Sequence, residues 1–140
     1  MRRQNERRKV PRQSLMDFRH FDVLIVEDDV VVSESVRAVL LVAGFTLVRT
    51  ARTLAEGLAE AERRTPDGAI IDGNLADGSS GLDLVAWLSA LGAPCLVISG
   101  HLMREDALSA GARGFLPKPF TEAQLLRHVT RLFQARGVTG

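Results

Sequence analysis

The sequence predicts a doubly wound α/β fold, a five-stranded parallel sheet with helices on both faces. Three observations lead there. Short apolar runs rich in β-branched residues recur five times, and each is followed by a stretch of helical length. The 140 residues, 46% hydrophobic and 25% charged, also suit one compact domain. Asp22 to Glu27 (DVLIVE) reads as a strand buried on both faces. Val30 to Ala43 follows as a helix that Gly44 closes. Thr46 to Thr50 is a second strand, and Thr53 with Glu56 opens the second helix in capping-box spacing. Gly68 to Asp72 is the third strand, Asn74 to Ser80 a loop, and Gly81 to about Ala90 the third helix. Cys95 to Ser99 is the fourth strand, about Met103 to Ala110 a short helix, and Gly114 to Pro117 the last strand. Thr121 with Gln124 caps a final helix running to about Ala135.

Right-handed βαβ crossovers of this kind favour the flavodoxin-like strand order 2-1-3-4-5, with ligands bound outside the carboxyl ends of the strands. Several functions are disfavoured before any motif is read. No apolar run approaches the roughly 18 to 20 residues of a spanning helix, and no apolar segment follows the basic N-terminus as a secretory signal requires, so the expected compartment is the cytoplasm and no membrane is involved. The single cysteine, Cys95, excludes an internal disulfide and a multi-thiolate metal site. The net charge of +1 conceals an asymmetry: residues 1–20 carry +5, leaving −4 on the rest. Residues 1–20 are read as a basic flexible N-terminal arm, a solvated tail without the interleaved aromatics of a nucleic-acid grip, and 137–140 as a frayed C-terminus.

The expected strand ends gather acids, a hydroxyl and a lysine: Glu27, Asp28 and Asp29 after the first strand, Asp72 after the third, Ser99 after the fourth, Lys118 after the fifth. Asp29 is equally well read as an N-cap of the next helix. Asp72 closes the run Ile70–Ile71 and precedes Gly73, which holds its carboxylate at the mouth of the sheet. Carboxylates gathered in a cleft either take up protons or recruit a cation. Oxygen ligands without His or Cys suit Mg²⁺, and a carboxylate beside it acts as a ligand or as a nucleophile toward phosphorus. The chain uses Arg sixteen times and Lys twice, so Lys118, between Pro117 and Pro119, stands out as a point charge for pairing a carboxylate and then a phosphoryl oxygen. Ser99 offers a hydroxyl to another oxygen.

IVEDD (25–29), IIDGNL (70–75), ISGH (98–101) and GFLPKPF (114–120), in this order and spacing, resemble the receiver domain of two-component response regulators. The resemblance covers residues 21–136 and is similar in shape to stand-alone receivers of alphaproteobacteria. It implies that Asp72 accepts a phosphoryl group from a histidine of a sensor kinase or phosphotransferase, the domain catalysing its own phosphorylation and dephosphorylation without being an enzyme in the usual sense. It further implies Mg²⁺ held by Asp28 and Asp72, by Glu27 through water and by the backbone carbonyl of Asn74. Ser99 and Lys118 would bind phosphoryl oxygens, the Lys118–Pro119 bond would be cis, and Phe115 would be the aromatic whose rotamer reports phosphorylation. His101, Gly73 and the short stretch from Ser99 to Lys118 depart from the family pattern and put the usual output surface in question.

No residues follow the expected last helix for a DNA-binding domain, so output is expected by contact with a downstream target protein near residues 101–115, with a heteromeric target favoured over a symmetric dimer. The alternative is a receiver-like binding module independent of phosphorylation. A haloacid-dehalogenase-like phosphatase is disfavoured, since it needs a second Asp where this chain has Asn74. Val30, Val31, Leu41 and Val42 exceed what one buried helix face needs; such a surplus is more often core packing, and its other reading is a docking surface for the phosphotransferase partner.

Overall fold

The computed structural model describes residues 17–101 and 104–139. Its elements follow in the order β1 (Asp22–Val26), α1 (Val30–Ala43), β2 (Leu47–Ala51), α2 (Leu54–Arg63), β3 (Gly68–Asp72), α3 (Gly81–Ala90), β4 (Cys95–Ser99), α4 (Arg104–Ser109), β5 (Gly114–Pro117) and α5 (Glu122–Thr139). The five strands are parallel in the order β2-β1-β3-β4-β5, as expected. β1 and β3, adjacent in space, are the pair across which the direction of winding reverses.

Because side chains alternate along a strand, the apolar runs feed two cores. Val23, Ile25, Ile70, Leu96 and Ile98 point to one face, where Val36 and Leu40 of α1 and Leu125, Val129 and Phe133 of α5 cover them. Leu24, Val26, Ile71, Cys95 and Val97 point to the other, under Ala61, Leu84, Leu88 and Ala107 of α2, α3 and α4. Burying each Val, Leu or Ile stabilises the fold by about 1.5–3 kcal/mol, which is why central strands read as unbroken apolar runs. The buried Cys95 thiol is pushed up to about 12 by desolvation, so it behaves as a small core hydrophobe.

The caps have the expected chemistry. Gly44 closes α1 at φ 111°, its N–H donating to Leu40 and Leu41 carbonyls, a conformation strained for any residue with a Cβ. Thr53 Oγ1 accepts from Glu56 N at 3.0 Å, and Thr121 and Gln124 exchange side-chain-to-backbone bonds of 2.8 and 3.0 Å.

Two boundaries move. The arm was expected to run to residue 20, but Phe18 is buried and stacks on Phe45 at 4.4 Å, so packing begins before β1. The last helix, expected to end near Ala135 and followed by a frayed 137–140, continues to Thr139 despite Gly137. The rest of the expected arm, residues 1–16, lies outside the described residues, as do Met103 at the expected start of the short helix and Gly140.

Candidate functional site

The register of the parallel strands sets the site. Val26 lies opposite Ile71, Asp72 opposite Ile98, and Ser99 opposite Pro117, so β1, β3, β4 and β5 end at one level and their next residues face one cleft. Glu27 N still donates to Ala51 O and Lys118 N to Ser99 O, which extends the sheet's hold by one residue onto both charged side chains.

Three acids meet there. Carboxylate oxygens of Glu27, Asp28 and Asp72 all lie within 4.8 Å of one another, with Glu27 and Asp72 only 1% and 4% exposed. Asp29 is not part of the group: its Oδ1 caps α1 by accepting from Val31 N and Val32 N at 2.9 and 3.3 Å. That answers the question two adjacent aspartates left open, since the N-cap position belongs to the second. Lys118 Nζ sits 3.0 Å from Glu27 Oε1 and 3.3 Å from Asp72 Oδ2, bridging the first and third strands from the fifth.

Fixed donors hold the rest. Asp72 Oδ1 accepts from Asn74 N at 3.0 Å, and Glu27 Oε2 accepts from Asp29 N at 3.1 Å. Ser99 Oγ donates to Asn74 Oδ1 and accepts from His101 N, both at 3.1 Å, so Asn74, Ser99 and His101 form one chain. The Lys118–Pro119 bond is cis. Phe115 is buried within the core on the α4 side. The four apolar α1 residues, Val30, Val31, Leu41 and Val42, are all exposed, Val31 by 75% and Val42 by 90%.

Charge explains the protonation behaviour. Burial, reinforced by the neighbouring Asp72, pushes the Glu27 carboxyl up to about 7 against the opposing effects of the Asp29 N–H and Lys118. Burial acts to lower the Lys118 ammonium, but Glu27 and Asp72 outweigh it and hold the group above its ordinary value.

The cluster fits a small hard cation. Three carboxylates converge on one cation-sized space, and Glu27 Oε1, completely buried, has the ammonium at ion-pair distance but no donor aligned for a hydrogen bond. An oxygen left in that condition is suited to a ligand water or ion.

Sequence reasoning missed Gly81. Its N–H donates to Gly73 O at 3.1 Å, and a Cβ there would collide with the Asp72 carbonyl oxygen and approach Ile71 Cγ2 at 2.8 Å. The absence of a side chain lets α3 start against the backbone that carries Asp72. Serine before glycine at 80–81 signals a helix start, but nothing local signals the close approach.

Residues 23–130 match the family described as the response regulator receiver domain. The chain belongs to that family. Receiver domains are phosphoacceptors with an acidic Mg²⁺-binding pocket, not enzymes in the usual sense. Among its relatives, the transcriptional regulatory protein PrrA of Mycobacterium leprae is 37% identical over 125 residues, covering 84% of this chain and 52% of that protein. The KDP operon transcriptional regulatory protein KdpE of Escherichia coli is 38% identical over 108 residues, 74% of this chain and 47% of that one. The chain thus spans about half the length of the curated relatives it matches. A CheY-like receiver domain protein from Methanospirillum hungatei superposes with TM-score 0.77 at 28% identity, covering 86% of this receiver chain and 98% of its own. CheY4 of Vibrio cholerae does so with TM-score 0.71 at 28% identity, over 80% and 98%. No helix among the described residues is long and apolar enough to cross a membrane.

Proposed function

We propose that this receiver is a phosphorylation switch in which Asp72 takes a phosphoryl group from a phosphohistidine of a sensor kinase or phosphotransferase. In the transfer a carboxylate oxygen of Asp72 forms the new P–O bond while the P–N bond to imidazole breaks, and the nitrogen keeps the electron pair. Lys118 carries this reading: its ammonium already touches Asp72 Oδ2 and Glu27 Oε1, where it offsets charge on an arriving phosphoryl oxygen. Ser99 stands beside Asn74 with a hydroxyl that can turn from the amide to a second oxygen.

Asp28 and Asp72, whose carboxylates converge with that of Glu27, would hold Mg²⁺ together with the Asn74 backbone carbonyl, and Glu27 would reach it through water. Bound there, Mg²⁺ supplies charge stabilisation to the transferring group. The Asn74 N–H holds Asp72 Oδ1 in place, and Asp29 N holds Glu27, so the acids need little reorganisation. The same residues would hold water in line for hydrolysis of the acyl phosphate, which makes the domain the catalyst of its own dephosphorylation.

The exposed apolar stripe of α1 is assigned to the kinase or phosphotransferase. It adjoins a depression of about 530 Å³ bounded by Val31, Val39, Pro119, Phe120 and Leu125, open beside Lys118. Output passes to a target protein from α4, β5 and α5. A phosphoryl group drawing Ser99 away from Asn74 disturbs the bond to His101 N on the α4 side of the site. The expected site of action is the cytoplasm.

Incubation with acetyl phosphate and Mg²⁺ tests the reading. One hydroxylamine-labile phosphoryl group per chain is expected, absent from Asp72→Asn and from Mg²⁺-free samples. Equal labelling of Asp72→Asn would overturn it.

A further inference from the structure

A continuous groove separates α1 from α5. At one end a depression of about 650 Å³ is bounded by Phe18, Val42, Ala43 and Leu126. Val42, Ala123 and Leu126 also bound a middle depression of about 300 Å³, and Val39 and Glu122 join that one to the depression of about 530 Å³ beside Lys118. Val42 and Leu126, on the two lips, are exposed. Only the Lys118 end adjoins the phosphorylation site. Val42 stands twelve residues beyond Val30 on α1, roughly 18 Å away at 1.5 Å per residue, so a phosphodonor at the site does not by itself account for an apolar lip there.

The chain itself supplies an occupant. Phe18 is buried against Phe45, and Arg19 O accepts from Thr46 Oγ1 at 3.1 Å, so the segment entering β1 is fastened at the Val42 end of the groove. Sixteen residues precede Asp17, and Met16 Cα lies within about 7 Å of Phe18 Cα because only two peptide units separate them. We propose that the α1–α5 groove is the docking site for residues 9–16 of this same chain (KVPRQSLM). Charge follows the same direction. Gln13 to Met16 is uncharged and brings Leu15 and Met16 to the Phe18 end, where Arg127 and Arg131 line the groove and disfavour a cation. Arg12 and Lys9 come farther along, where Glu122 lines both remaining depressions. From Asp17 back to Lys9 the chain reaches up to about 26 Å, enough for the roughly 18 Å of the α1 side. Tethering holds the segment at an effective concentration of about a millimolar, above that of an untethered partner or a second copy at micromolar protein. The contact does not require phosphorylation at Asp72, so unphosphorylated protein tests it apart from that reading.

The experiment compares the ¹⁵N-labelled full chain with its Leu15→Ser/Met16→Ser double variant and titrates each with a peptide of residues 7–16. Amides of Val42, Leu126 and Thr130 should differ between the two chains at every protein concentration. The peptide should shift the same amides in the double variant and bind the unaltered chain about tenfold more weakly, because there the tethered segment already fills the groove. Val42→Asp, added to the double variant at an exposed position, should weaken peptide binding by about tenfold or more. Leu108→Ser, exposed on α4, should leave it unchanged. Equal peptide affinity in the unaltered chain and the double variant would overturn the proposal, as would identical groove amides in the two. Groove shifts that grow with protein concentration would overturn it in favour of a second copy.

Discussion

Glu27 is the residue whose surroundings make the most specific demand. Its carboxyl, near 4.5 in an exposed chain, is pushed up to about 7 in the fold, chiefly by burial. Between those values the folded protein holds a proton that the unfolded chain has released. This contribution to stability is therefore complete below about 4.5 and is lost as pH rises through about 7. A cation at the cluster reverses the preference by stabilising the carboxylate. In chelator, thermal stability should fall between roughly pH 5 and pH 8, and Mg²⁺ should raise the melting temperature more at the upper pH than at the lower. Glu27→Gln should flatten both trends. Equal Mg²⁺ shifts at the two pH values would contradict this account of the cluster.

Neighbouring residues differ in how legible they were. Asp72 could be singled out because it ends an apolar run and precedes glycine, a local signal. Residue type alone left Asp29 evenly placed between the cluster and an N-cap, and it was the resemblance that singled out Asp28; the start of α1 shows Asp29 to be the cap. Lys118 stood out through the scarcity of lysine, but its double contact with Glu27 and Asp72 depends on the pairing of distant strands.

At the scale of elements, the strands and helices were legible because burial on both faces writes itself as apolar runs, and caps as Thr-x-x-Glu or terminal glycine. Contacts set by register were not. Asp22, buried at the far end of β1 from the site, receives Arg49 Nε and Arg64 Nε, both at 2.9 Å, and nothing local announces this link of β1 to β2 and the end of α2. Phe18 fell within the expected arm because it precedes the first strand-like run at Asp22, and only its stack on Phe45 shows where it belongs.

Gly81 is the clearest case of an element start governed at long range. Gly81→Ala forces α3 away from the end of β3 and should cost about 1–3 kcal/mol by overpacking. Urea unfolding measures it. A loss under half a kcal/mol, roughly the level of a neutral surface substitution, would show that the α3 start is free to shift. Because the displaced atom is the Asp72 carbonyl, phosphorylation by acetyl phosphate should slow in the same variant even where the fold survives.

For the whole molecule, two cores on either side of one sheet leave one edge where charged groups from β1, β3 and β5 and the Ser99 hydroxyl of β4 converge, while apolar residues of α1 stay exposed. The rigid sheet fixes the chemistry, and the Asn74–Ser99–His101 chain links it to the surface. A phosphoryl group changes partner affinity only by its differential effect on two states, and about 1–3 kcal/mol gives a five- to hundredfold change. All of this depends on where the phosphoryl group is carried. Borohydride reduction of the acetyl-phosphate-treated protein converts an aspartyl phosphate to homoserine, which peptide mass spectrometry locates. The account predicts conversion at position 72 alone and only with Mg²⁺ present; conversion at position 28 or 29, or none in folded protein with Mg²⁺, would contradict it.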